Sequence, residues 1–434
     1  MKISIFGLGY VGCVSLGCLA KNGHDVIGVD VQPLKVDLIN EGLATIVEKD
    51  IDVIIKEEFQ KKKIRATLDF QEAVLDSDLS IICVGTPSSN TGHLNLSYIY
   101  RTAEQIGEAL KRKNTFHTVV IRSTVLPGTN RKVSGIIEEH SGKKRNEAFA
   151  VISNPEFLRE GSAVKDYYNP SVTVIGGDNQ QAIDLVTSLY KDLKGAIEIT
   201  DIEVAELIKY VNNSYHALKI TFANEVGNIC KALSIDSHKV MGLFCKDTHL
   251  NISPAYFKPG FAYGGSCLPK DLRGMVTLAH DNYMHTPLLK SIDDSNEHQK
   301  ELAFNMIVKT GKKKICFIGL SFKEGTDDLR YSPSVDLAEK LIGKGYSLTI
   351  YDQNVHISKL VGANKAFINE HLPHLSELIT DDVEKAISNA DVILINHRTF
   401  DIDKHIHLLK DKIVLDLVKV SWNHPKEKYE GLCW

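Results

Sequence analysis

Lys2-Ile3-Ser4-Ile5-Phe6-Gly7-Leu8-Gly9-Tyr10-Val11-Gly12 opens the chain, and Val26-Ile27-Gly28-Val29-Asp30 follows a short distance on. The first run is β-rich until the glycines break it. Residues 14–21 read as a helix that Asn22-Gly23 ends. Val26 to Asp30 is a second strand, so this stretch is a βαβ unit. Within it, Gly7, Gly9 and Gly12 have the spacing of a dinucleotide-binding turn. Gly7 permits the tight turn, Gly9 lets a pyrophosphate approach the backbone, and Gly12 lets helix and strand pack closely. The helix N-terminus then faces the phosphates. Asp30 suits a ribose 2′-hydroxyl and repels a 2′-phosphate, which points to NAD over NADP, and Lys35 reaches the same ribose. The competing reading is a packing turn that binds nothing. The strand, the helix and the acid in register weigh against it.

Outward from this unit, apolar runs at 79–84, 118–122, 150–153 and 172–175 alternate with helical or loop stretches. Buried, non-alternating strands between helices imply a parallel sheet covered on both faces. From residue 201 the rhythm changes to one long amphipathic helix, 201–233. Leu207, Ile208, Val211, Tyr215, Leu218 and Phe222 share one of its faces, while Lys209, Asn213, His216 and Asn224 share the other. The opening theme then returns. Ile315-Cys316-Phe317-Ile318-Gly319-Leu320-Ser321 echoes the first turn, a helix spans about 334–344, and Leu348-Thr349-Ile350-Tyr351-Asp352 echoes the strand ending at Asp30. Runs at 391–396 and 412–416 complete a second sheet. The fold class is α/β: two Rossmann-like, doubly wound parallel-sheet domains joined by a long central helix. Its expected divisions are 1–200, 201–300 and 301–434. Ser321 stands where the first turn has Gly9, so the second turn is read as holding a phosphorylated ligand through Lys323 but no second dinucleotide.

The chain has 434 residues, ample for several cores, and a net charge of −4, so it is no general polyanion binder. No apolar run has the length of a membrane span, and strand-like sequence follows Lys2 directly, so no leader is expected. Eight scattered cysteines without a CxxC pair suggest reduced thiols in a cytoplasm, neither a disulfide framework nor a metal site.

Three features carry chemistry. Cys267 lies in the glycine-rich stretch 261–271 with Lys270 and Asp271 close by; glycines leave room for a substrate, and a cation favours the thiolate. The stripe of Lys209, Asn213, His216 and Asn224 is richer in amides than a solvated face usually is. Asn154-Pro155-Glu156-Phe157-Leu158-Arg159-Glu160-Gly161 follows a strand, which brings its carboxylates toward the same chemistry. Thr86 and Thr124 are hydroxyls at strand ends, where ligands sit in such folds. For each of these, core packing, a cap or a solvated face is the competing reading.

With these motifs in order, namely GLGYVG, ICVGTP, RSTVLPGT, NPEFLREG, VAELIKYVNN, FANEVGNI, GGSCLPKD and GLSFKEGTDDLR, the chain resembles the nucleotide-sugar 6-dehydrogenases over its whole length. This is the group of UDP-glucose and GDP-mannose dehydrogenases, and KPGFAYGGSCLPKD with the terminal GLCW leans toward the GDP-mannose members. The resemblance implies oxidation of a sugar C6 alcohol to a carboxylate with two NAD, through a Cys267 thiohemiacetal and thioester. It implies that Lys209, Asn213 and Asp271 hold water and steady the oxyanion, and that Glu160 and Thr124 line the reacting carbon and the cofactor. Substrate contacts would be Glu160, Lys209, Asn213, His216, Asn224, Tyr256, Lys258, Phe261, Gly264 and Lys323. Cofactor contacts would be Tyr10, Val11, Asp30, Lys35, Thr86, Thr124, Lys270 and Arg330 beside the glycines. The implied substrate is GDP-mannose, with a UDP-sugar as the alternative; the implied assembly is a homodimer or larger homo-oligomer through the central helix, and the product feeds a uronate polymer such as alginate. A two-electron hydroxyacid dehydrogenase needs neither the cysteine nor the second α/β domain. An NAD-sensing protein does not need the polar constellation.

Overall fold

The computed structural model describes all residues except 90, 91, 233, 249–255, 282, 284, 285, 357–359, 361, 399 and 422–427. The chain divides into two compact units, Met1–Val211 and Asn212–Trp434.

Unit one is built on eight strands: β1 (Lys2–Phe6), β2 (Asp25–Val29), β3 (Ile64–Thr67), β4 (Leu79–Ile82), β5 (His117–Ile121), β6 (Phe149–Ser153), β7 (Val172–Gly176) and β8 (Ala196–Thr200). Their order across the sheet is β3-β2-β1-β4-β5-β6-β7-β8, the dinucleotide-fold order through β6. These six run parallel, with Ile5 opposite Gly28 and Ile81. The edge departs from an all-parallel sheet, because β7 meets β6 antiparallel and then pairs parallel with β8. Residue alternation explains the two layers. Ile3 and Ile5 pack with Leu16, Ile51 and Ile55 on one face, and Phe6 packs with Ile99, Ile106 and Val133 on the other.

Unit two repeats the plan on five parallel strands, β9 (Lys314–Ile318), β10 (Ser347–Tyr351), β11 (Val392–Ile395), β12 (Ile413–Asp416) and β13 (Tyr429–Gly431), in the order β10-β9-β11-β12-β13. Here Ile315 and Phe317 face one layer, and Cys316 and Ile318 the other. Three edge strands, β3, β8 and β13, had no reading in the sequence. β13 is three residues long and β8 is largely uncovered, so neither has the apolar run that marks a buried strand.

The long helix spans Ile202–Ala232, one residue inside the expected start; Leu233 lies outside the described residues. Its two expected stripes are present. Lys209, Asn213 and Asn224 are buried, whereas Val204, Val211, Tyr215 and Phe222 are exposed.

The glycine turn is set by steric exclusion. A Cβ on Gly12 would lie 1.8 Å from the Gly7 carbonyl oxygen, and one on Gly7 would lie 2.9 Å from that of Cys83. A Cβ on Gly9 would meet nothing within 4 Å. Gly12→Ala should therefore destabilise unit one by roughly 2–3 kcal/mol, as overpacking does, while Gly9→Ala should cost under about 1 kcal/mol. Thermal melts of the two variants beside the parent check this, and equal melting temperatures would contradict it.

Candidate active site

The first turn is held by a carboxylate. Asp30 accepts from the Leu8 amide at 2.7 Å and the Gln32 amide at 2.9 Å, and pairs with Lys35 at 3.2 Å. Asp30 is buried, and its remaining lone pairs suit ribose hydroxyls. Among the described residues no contact demands glycine at position 9, and the bare backbone there is the cradle a pyrophosphate needs. The turn thus fits a dinucleotide. Val11 sits half-buried in the first helical turn, Thr86 is buried just past β4, and Thr124 lies just past β5. The Tyr10 hydroxyl is hydrogen-bonded to Glu48 and accepts from the Gly161 amide at 3.1 Å.

Unit one also gathers acids around Lys209. The Lys209 ammonium lies 2.9 Å from Glu156, with both side chains less than a tenth exposed. Glu156 also accepts from the Leu158 amide at 2.6 Å. Glu160, the other acid in the stretch after β6, is half-buried. Thr124 and Lys209 line one small cavity together with Ser123, Pro155 and Glu206. Arg122 is buried and donates to Asn154 at 2.8 Å and to the Tyr190 hydroxyl at 2.9 Å, so it anchors the loop after β5.

In unit two, Cys267 immediately precedes the Leu268–Asp281 helix. None of the eight cysteines is in a disulfide, and of the eight Cys267 is the exposed one. Burial pushes Cys18, Cys83 and Cys316 up to about 12, out of the range of useful nucleophiles. One helical turn on, Asp271 is fully buried, accepts from the Asn213 amide group, and lies 3.2 Å from the Lys270 ammonium. Asn213, Lys270, Asp271 and Cys267 thus form one group. The flanking glycines have a packing role in the chain itself. A Cβ on Gly264 would lie 2.3 Å from the Tyr331 carbonyl oxygen, and one on Gly265 2.6 Å from the Phe322 ring.

Asn224 accepts from the Gly260 amide at 2.9 Å and donates to the Phe261 carbonyl at 3.3 Å, so it holds the approach to Cys267. Phe261 packs on the second sheet's core, and the His216 and Tyr256 rings meet at 5.0 Å, tilted by 33°. Lys258 and Lys323 are exposed, and Arg330 is turned back onto Asp328 at 2.5 Å. The second turn reuses the first one's device: Asp352 accepts from the Leu320 and Ser321 amides at 2.7 and 2.9 Å.

Two carboxylates had no role in the sequence reading. Glu48 accepts from the amides of Gly161 at 2.6 Å and Ala163 at 3.2 Å, and nothing local marks it. Glu206 accepts from the amides of Gly128 and Asn130, both at 2.7 Å. Its place one helical turn before Lys209 was the available signal.

Known proteins are similar to this chain over its whole length. Three family models match in chain order: the NAD binding domain of the UDP-glucose/GDP-mannose dehydrogenase family at residues 1–194, its central domain at 203–298, and its UDP binding domain at 316–422. The GDP-mannose 6-dehydrogenases of Pseudomonas syringae pv. tomato and Azotobacter vinelandii are 48% and 46% identical to this chain, each covering 100% of both sequences. The UDP-glucose 6-dehydrogenase of Haloferax volcanii is 33% identical, also over 100% of both. Among solved structures, a UDP-glucose dehydrogenase from Pyrobaculum islandicum superposes with a TM-score of 0.89 at 30% identity, covering 100% of this chain and 98% of that one. Among the described residues, no helix is long and apolar enough to cross a membrane. The chain belongs to the UDP-glucose/GDP-mannose dehydrogenase family and is an NAD-dependent nucleotide-sugar 6-dehydrogenase.

Proposed function

We propose that this enzyme oxidises GDP-mannose at C6 to GDP-mannuronate, a precursor for a uronate polysaccharide such as alginate. The substrate assignment is supported by the relatives: those at 46–48% identity are GDP-mannose 6-dehydrogenases, while the UDP-glucose enzyme stands at 33%. The observation that carries the mechanism is the state of Cys267, the exposed thiol among eight, at the positive end of a helix.

When bound, NAD accepts one hydride in each of two oxidations. Cys267 adds through sulfur to the C6 aldehyde, giving a thiohemiacetal that keeps the aldehyde from escaping. Its oxidation gives a thioester, and water opens this to the carboxylate and the free thiol. Lys209 and Asn213 stabilise the oxyanion of the addition steps. Asp271 already accepts from Asn213 and faces Lys270, so its part is to orient them. Glu160, half-buried, carries the proton of the hydrolytic water. His216, Asn224, Tyr256, Lys258, Phe261, Gly264 and Lys323 contact the nucleotide sugar, and Tyr10, Val11, Asp30, Lys35, Thr86, Thr124, Lys270 and Arg330 contact the dinucleotide. The free thiols suit a cytoplasmic enzyme.

The enzyme is also proposed to be a homodimer, or a larger homo-oligomer, over the long helix. Val204, Val211, Tyr215 and Phe222 recur at intervals of seven, four and seven residues and are 37–50% exposed. This is the spacing of a helix seam, about 27 Å long, and two copies related by a two-fold axis would cover each other's stripe.

Three outcomes test this reading. With GDP-mannose the enzyme should form two NADH per substrate, and Cys267→Ser should lower acid formation by on the order of 10³-fold or more. One NADH per substrate, or near-normal acid formation by that variant, would refute the covalent route, and turnover of UDP-glucose without GDP-mannose would refute the substrate. Asp30→Asn keeps an oxygen for the Leu8 amide but removes the charge. It should narrow the preference for NAD over NADP by about 10-fold in kcat/KM, the worth of a charge-assisted hydrogen bond. Light scattering should show a dimer or larger assembly that Val204→Asp with Val211→Asp dissociates; an active wild-type monomer would contradict the assembly.

A further inference from the structure

The helix Thr129–Ser141 begins, as every helix does, with amides that have no acceptor inside it. Its N-cap is Gly128, which has no side chain to offer. The acceptor comes from far along the chain. Glu206 is 3% exposed, and each of its carboxylate oxygens takes one amide: Oε2 that of Gly128 and Oε1 that of Asn130, both at 2.7 Å. The other end of the same loop is tied by Ser123, whose hydroxyl donates to the Val84 carbonyl at 2.7 Å. Between the two ties sits Thr124, which lines the small cavity with Glu206 and Lys209.

We infer that Glu206 is a positioning residue for the reaction, a latch that fixes the loop carrying Thr124 to the helix carrying Lys209. This rests on the proposed roles of Thr124 at the cofactor and Lys209 at the reacting carbon. Nothing in the sequence resemblance assigns Glu206 a part.

The latch needs the charged form. A carboxylate accepts two amides, one on each oxygen, whereas a neutral acid turns one oxygen into a donor and leaves one amide unmatched. Burial pushes Glu206 up to about 7, against the pull of its two amides. Glu203 on its own helix raises it, and Arg131 on the capped helix lowers it; these two pair with each other at 2.6 Å. Tyr100, from the Ser97–Leu110 helix, feels its charge, and Lys209 across the cavity is held by Glu156. Below pH 7 the latch should therefore open by one hydrogen bond, and above it the latch should close.

The test is the dissociation constant of NADH, read by fluorescence from pH 6 to 8.5 on the full-length enzyme. Wild type should weaken about 5-fold from pH 8 to pH 6, the worth of one hydrogen bond. Glu206→Gln, the permanent mimic of the neutral acid, should bind weakly with no such pH dependence, and Glu203→Gln, which removes a charge that raises Glu206, should keep the weakening but move its midpoint to lower pH. Melting temperatures of all three, taken in parallel, separate positioning from plain stability. A flat wild-type profile would overturn the inference without need of any variant. So would a Glu206→Gln enzyme that melts lower yet keeps wild-type affinity and pH dependence. Failure of wild type to bind NADH at any pH would instead refute the cofactor reading, and this inference with it.

Discussion

Buried carboxylates that accept backbone amides hold this molecule's working loops. A chain leaving a strand has amides that no sheet neighbour can satisfy, and a buried amide without an acceptor is costly. Asp30 and Asp352 meet those amides at the two turns, Glu48 at residues 161 and 163, Glu156 at 158, and Glu206 at 128 and 130. In β12, Asp416 does the same for the amides of Val418, Lys419 and Val420 at 2.8–2.9 Å. Each carboxylate gives up water, and amide dipoles with nearby cations offset that loss. Because such a bond has a direction, it fixes the loop more sharply than apolar packing would.

The two α/β units show one device turned to two uses. In both, an acid at the end of the second strand grips the amide after the turn's first glycine. They part at the next position. Gly9 leaves its backbone bare, whereas Ser321 is fully buried and spends its hydroxyl on the Lys323 carbonyl. One added side chain thus converts a phosphate cradle into a packed turn.

The long helix bears the same logic on a larger scale. Its amide and amine side chains lie inside, matched by Glu156, Asp271 and the carbonyl and amide of the 260–261 backbone. Its apolar stripe faces outward. This inverts the ordinary arrangement of an amphipathic helix, whose apolar side is the covered one.

Much of this could be read from residue order alone. The glycine turn, the strand periodicity, the duplication and the long helix are local patterns, because a Cβ clash or a period of two or 3.6 involves residues near in sequence. Cys267 stood out for the same reason, its glycines, lysine and aspartate being neighbours in sequence. What needed the folded chain were the long-range partners. Nothing in Asn154–Gly161 says that Glu156 meets Lys209, nor does position 48 announce a tie to position 161 across 113 residues. Nor could an amphipathic pattern say which stripe would be covered. The edge strands escaped too, since a half-covered strand has no apolar run to betray it. Hydrogen bonds between distant groups depend on where the whole fold sets each backbone amide, and that placement is a property of the packed layers rather than of any stretch of sequence.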